Sequence, residues 1–172
     1  MRLKWPGFNK EGTVLIEPAS GFFCDIKSEI DVQGEIFTAK HEQHITLIGT
    51  RLGAILLQQI KQERTIESLL EETFEAIDWS FKQTGPVHIL SREQEGIVQK
   101  SIIILVDMPG VTTFYQQLKT QEIIDPDTPL PPPHITLYTL NCASGIGVPS
   151  QKMLGTLSIK TLSVDAFEQL NA

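Results

Sequence analysis

The tetrapeptide His-Ile-Thr-Leu occurs twice, at His44-Ile45-Thr46-Leu47 and at His134-Ile135-Thr136-Leu137, the two starts 90 residues apart in a chain of 172. Both copies lie in runs with the character of β-strands, 43–48 and 133–140. Alternation along a strand sends His44 and Thr46 to one face and Ile45 and Leu47 to the other. The second copy reads the same way, with Tyr138 continuing the face of His134 and Thr136. Histidine loses its proton near neutral pH, so a pair of imidazoles can serve one reaction as base and acid. Threonine hydroxyls two residues along can hydrogen-bond oxygens on which charge develops. The chemistry that uses all four groups is an in-line displacement at phosphorus. A neutral imidazole takes a proton from water, and a protonated one gives a proton to the leaving oxygen. No metal is required by this set. The residues alone do not say which histidine plays which part.

A single His-x-Thr in a strand carries little signal, because threonine is a good β-former and strand histidines are commonly structural. Two matched copies half a chain apart carry more. In these two stretches the chain resembles the two-histidine (2H) phosphoesterases, whose signature is a duplicated His-x-Thr/Ser between hydrophobic residues. The resemblance implies His44 and His134 as catalytic residues and Thr46 and Thr136 as phosphate contacts. It implies a phosphoric diester hydrolase that works without metal or cofactor on a cyclic phosphodiester: a 2′,3′-cyclic nucleotide, an RNA end or a small nucleotide-derived cyclic phosphate. By similarity to members that open 2′,3′-cyclic phosphates, His134 takes the base role toward water and His44 the acid role. The implied fold is α+β, two pseudo-symmetric lobes of antiparallel sheet with flanking helices around a central groove. A reading from another class stays open, a non-catalytic module holding a nucleotide or RNA end in the same groove. Tyr138 is a candidate to stack on a base or ribose, since every base offers a π-face. Arg51 and Lys40, which flank the first motif, are candidate substrate contacts.

The rest of the composition narrows the partners. Fourteen Lys+Arg against 21 Asp+Glu give a net charge of −7, which disfavours a grip on long duplex nucleic acid and leaves a small or short substrate. Cys24 and Cys142 are too few for a disulfide framework and read as two buried free thiols in a reducing compartment. Residues 1–6 lack the apolar core of a signal peptide, and the longest aliphatic run, 102–106, falls far short of the ~20 residues that span a bilayer. The expectation is a cytoplasmic protein away from membranes. His41 and His44 suggest a metal pair at first sight, but residues three apart on a strand face opposite ways and no cluster completes a tetrahedral site. His88 reads as a strand or loop histidine without a role.

The elements that must position the motifs fit one domain over 1–172, with approximate lobes 1–85 and 86–172. Short strands are expected at 13–17, 22–26 and 35–38, before the first motif strand. Thr50 reads as the cap of a helix running to 63, with Leu52, Ile55, Leu56 and Ile60 on one face. Thr65 opens a second helix that buries Ile66, Leu69, Leu70, Phe74 and Ile77. Residues 79–83 and 87–91 read as strands, 92–96 as a turn, and 98–106 as a central strand buried on both faces. Val111, Phe114, Tyr115 and Leu118 mark a short amphipathic helix. Prolines at 126, 129, 131, 132 and 133 make 125–133 stiff and extended, which reads first as a surface connector; a second reading is that the three directly before His134 fix the angle at which the second motif strand begins. Residues 141–150 read as a loop and 154–164 as a last strand.

Overall fold

The computed structural model describes residues 1–17, 26–82 and 85–171. Among them, thirteen elements follow one another in the order β1 (Val14–Ile16), β2 (Glu29–Val32), β3 (Glu35–Ala39), β4 (Ile45–Ile48), α1 (Thr50–Gln62), α2 (Thr65–Ala76), β5 (Val87–Gln94), β6 (Ile97–Leu105), α3 (Pro109–Thr120), β7 (His134–Leu140), α4 (Gln151–Leu157), β8 (Ser158–Leu162) and α5 (Val164–Asn171). The class is α+β, and all eight strands pair antiparallel in one sheet. The strand path runs β1-β4-β7-β6-β5-β8, with β3 also against β7 and β2 against β3. No helix among the described residues is long and apolar enough to cross a membrane.

Strand β6 is central, as its composition predicts: Ser101 to Ile104 are all fully buried between β5 and β7. Its alternate residues feed two cores. Ile102 and Ile104 join the larger one, with Leu56 of α1, Phe74 of α2 and Phe114 of α3. Ile103 joins a smaller one on the opposite face, with Leu90, Ile146, Val148, Leu154 and Leu157. One sheet face is therefore roofed by α1, α2 and α3, and the other in part by the 141–150 loop and α4.

Four expected elements differ. Residues 79–82 are not a strand: Trp79 is a core plug, its ring stacked on Phe74 at 4.5 Å and its Nε1 donating to the Phe74 carbonyl at 2.9 Å. Residues 92–94 are not a turn but the end of β5. The hairpin runs beyond the core, with polar Glu93 and Gln94 paired to the exposed Val98 and Ile97, and Arg92 Nε donates across it to Gln99 at 2.8 Å. The reversal falls on Glu95 and Gly96, both with positive φ (53° and 76°), the two-residue geometry that matches strand twist. The 154–164 strand is half helix, because Leu154 and Leu157 are one helical turn apart and the Ser150 hydroxyl caps α4 by accepting from Met153 N. Helix α1 is flanked by Gly49, with Thr50 its first residue. Strand β2 and helix α5 lie in stretches where no element was expected. The 22–26 candidate strand lies outside the described residues up to Ile26, which is in no strand, and Cys24 lies outside them too.

Candidate active site

One residue pair joins the two motif strands. Ile45 of β4 pairs antiparallel with Ile135 of β7, and both are fully buried in the larger core. In an antiparallel pair, one step back on one strand meets one step forward on the other. His44 is thus opposite Thr136, and Thr46 opposite His134, around a local twofold through the isoleucines. Facing side chains in such pairs lie about 4.5–5.5 Å apart at Cβ. Thr46, His134 and Thr136 project from the face away from the Ile45 and Ile135 side chains, and His44 immediately precedes β4. On that face Thr136 pairs with Ile103 and His134 with Leu105, residues of the smaller core and its margin.

The repeat extends past the tetrapeptide. In β4 the pairing passes from Thr46 to Ile48 and skips Leu47; in β7 it passes from Thr136 to Tyr138 and skips Leu137. Each copy carries a one-residue bulge at its leucine, so two successive side chains turn to the same core: Leu47 and Ile48, then Leu137 and Tyr138. Beyond the second bulge, the neighbour of β7 changes from β4 to β3, with Ala39 against Tyr138. Residues 40–44 cross that corner, and Lys40 N donates to Leu137 O at 2.8 Å.

The proline segment defines the state of His134. Nδ1 lies 2.8 Å from the Pro132 carbonyl, which can only accept, so Nδ1 carries the proton and the Nε2 lone pair is free. Pro133 O in turn accepts from Val106 N, fixing the start of the strand to β6. His134 is buried, which lowers its pKa, with the Pro132 bond opposing. Only 9% of this residue is exposed. His44 is half-buried and its pKa is also lowered, first by burial, then by the positive charge of Lys40, with Glu42 opposing and the charge of His134 adding to the fall. The hydroxyls of Thr46 and Thr136 are half-buried and make no hydrogen bond among the described residues, leaving both donors for a ligand.

One expected contact is not brought to this site. Tyr138 is turned away by the bulge: it is fully buried, its ring lies against Phe167 and its hydroxyl donates to Lys27 O at 3.0 Å. The sequence did hold a hint, since Leu47-Ile48 in the first copy breaks alternation at the same place. Arg51 is exposed on the first turn of α1, without a hydrogen bond or ion pair among the described residues. Lys40 is brought in, its Nζ donating to Ser144 O at 3.4 Å.

The 141–150 loop contributes what sequence reasoning did not anticipate. Gly145, at φ +82°, lies so close over Thr136 that an added Cβ would be 3.1 Å from its methyl and 3.3 Å from its hydroxyl. The loop is held there by the fully buried Ser101 hydroxyl, which accepts from Ile146 N at 3.0 Å. Cys142 is half-buried rather than buried, its Sγ toward Lys100 O. Among the described residues no group of three or more His, Cys, Asp or Glu side chains could hold a metal. His88 is occupied by Ser158 and Thr161 hydroxyls. Two clefts of about 530 Å³ lie elsewhere, one between Ile77, Lys82 and Asp107 and one between Leu52, Ile55 and Ile123; neither contains a motif residue.

The lowered histidine pKa values have a consequence for stability. The unfolded chain binds protons at a higher pH than folded His134, His44 and His88 do. In that window stability rises with pH, so it is present in full above about pH 6.5 and is lost as pH falls through the folded values. His134→Asn, which cannot titrate, should flatten the fall in Tm between pH 7 and 5, as read by thermal melts. An unchanged slope would mean that burial of His134 sets no such cost.

No family model matches the chain, and neither a curated protein nor a solved structure matches it.

Proposed function

We propose that the chain is a metal-independent phosphoesterase that hydrolyses a cyclic phosphodiester, in the manner of the two-histidine phosphoesterases its motifs resemble. The observation that supports this reading is the Ile45–Ile135 pairing, whose antiparallel register, continued one residue each way, would bring each histidine toward the other copy's threonine. A ligand phosphate over that twofold would meet an imidazole on each side and a hydroxyl on each non-bridging oxygen.

In this reading His134 is the base. Its Nδ1 proton is committed to Pro132, its Nε2 lone pair is free, and burial favours the neutral form. Nε2 takes a proton from water as the water oxygen bonds to phosphorus. The bond from phosphorus to the leaving oxygen breaks, and His44, protonated in the complex, gives that oxygen its proton. A phosphomonoester and a free hydroxyl result. Glu42 and the anionic substrate favour His44 as the protonated partner, against burial and Lys40. Thr46 and Thr136 hold the non-bridging oxygens as charge grows on them.

The same reading takes the duplicated motif and its duplicated bulge as the centre of two related lobes, about 1–85 and 86–172, facing across a groove. With a net charge of −7, the substrate is a small nucleotide-type cyclic phosphate or a short RNA end rather than a long duplex. The free thiol of Cys142 suits a cytoplasmic setting. The test is turnover of a 2′,3′-cyclic nucleotide in the presence of EDTA. Hydrolysis with chelator is expected. Binding without turnover would instead mark a nucleotide-binding module, and turnover restored only by added metal would overturn the mechanism.

A further inference from the structure

We propose that Lys40 is the cation that receives the ligand's phosphoryl charge in this site, its present partner, the Ser144 carbonyl, giving way to a non-bridging phosphate oxygen. The proposal rests on the phosphoesterase reading and adds to it a determinant of substrate class: an ester that carries negative charge on phosphorus. Lys40 is fixed beside both motif copies by its backbone, since Lys40 N bonds Leu137 O and the chain reaches His44 four residues later. Its side chain is half-buried yet makes no ion pair among the described residues. The ammonium has three donors, and its hydrogen bond here is a single long one, 3.4 Å, to a neutral carbonyl.

Lys100 shows how this fold treats a half-buried lysine that has a structural partner: both oxygens of Glu35 lie 2.6 Å from its Nζ. Among the described residues Lys40 has no such partner. The charged and titratable groups that act on it are Glu42 and Cys142, and its own charge bears on His44. Burial without a counterion lowers the Lys40 pKa, a cost that a bound anion removes. In a chain of net charge −7 the overall field repels anions, so capture of a phosphate needs a local cation. Ser144 and Gly145 are adjacent, so the loop that Lys40 touches is the one that packs on Thr136. Ammonium, imidazole and threonine hydroxyl thus border one space.

The experiment uses inorganic phosphate as the probe, with imidazole resonances followed by NMR in EDTA, on wild type, Lys40→Met, Lys40→Arg and Arg51→Met. Phosphate affinity should fall about 10–100-fold in Lys40→Met, the scale of a charge-assisted hydrogen bond. It should stay within a few-fold of wild type in Lys40→Arg and be unchanged in Arg51→Met. His44 should titrate at higher pH in Lys40→Met, because the positive neighbour opposing its protonation is gone. With a 2′,3′-cyclic nucleotide the loss should appear mainly in KM. Wild-type phosphate affinity in Lys40→Met, or an unmoved His44 titration, would overturn the proposal. Cyclic-nucleotide turnover with an unchanged KM in Lys40→Met would remove Lys40 and leave the phosphoesterase reading standing. Phosphate binding that depends on Lys40 in a protein without turnover would keep Lys40 and remove the hydrolase.

Discussion

His44→Ala and His134→Ala should each lower kcat/KM toward a 2′,3′-cyclic nucleotide by about 10²–10⁴-fold, the range for a positioned acid or base. The double variant should lose far less than the product of the two, because the imidazoles act as a unit across the Ile45–Ile135 pair. The wild-type profile should be bell-shaped in pH, its limbs reporting the coupled pair rather than either residue. Burial lowers both histidines, so the maximum should fall on the acid side of their usual 6.5. The alkaline limb reports loss of the protonated partner, and Lys40→Met should move it upward. Thr46→Val and Thr136→Val should slow the reaction without moving the optimum, since threonine does not titrate here. A pH–rate series on these variants, with EDTA in every sample, checks the set. A profile flat from pH 5 to 9, or near-wild-type activity in His44→Ala, would exclude a two-histidine mechanism.

What the sequence made legible and what it hid divide along a physical line. Period and composition exposed the motif strands, the buried centre of β6 and the helices α1 and α2, because burial on one face leaves a regular trace. Ile102, Ile103 and Ile104 could belong only to a strand covered on both sides. Register was hidden. Nothing in residues 134–140 announces a bulge, so Tyr138 was placed on the site face while the fold sends it to the core. Composition misled where polarity did not mean a turn, as in 92–94, and where apolar residues did not mean a strand, as at Trp79. The site followed the same rule. His44, Thr46, His134 and Thr136 were readable as a repeated motif, but their cross-strand arrangement depends on a single long-range pair. Lys40 flanks the first motif in sequence, but its contact with the second copy, and the seat of Gly145 over Thr136, exist only in space.

Ile135→Ala should be among the most damaging core changes, because that side chain is buried in the larger core between two neighbouring strands. Ile135 is fully buried, pairs with Ile104 of β6 on one side and with Ile45 of β4 on the other, and the Ile45 contact is the one register pair linking the motif strands. Removing three carbons there forfeits their burial and leaves a void that the sheet cannot close without moving a motif strand. The expected cost is about 2–5 kcal/mol. Against a total of about 5–15 kcal/mol for a typical domain, that is a large share. Denaturant unfolding measures it, with Ile97→Ala as the control, since Ile97 is 53% exposed and should change stability by no more than about 0.5 kcal/mol. His134→Ala should fall between the two. It gives up one hydrogen bond to Pro132 and a buried ring, worth about 1 kcal/mol for the bond, but it also relieves the burial of a titratable group. The order Ile135, His134, Ile97 follows from the faces assigned to β7. If His134→Ala cost more than Ile135→Ala, the faces would be reversed, and the imidazole would belong to the core rather than to a site.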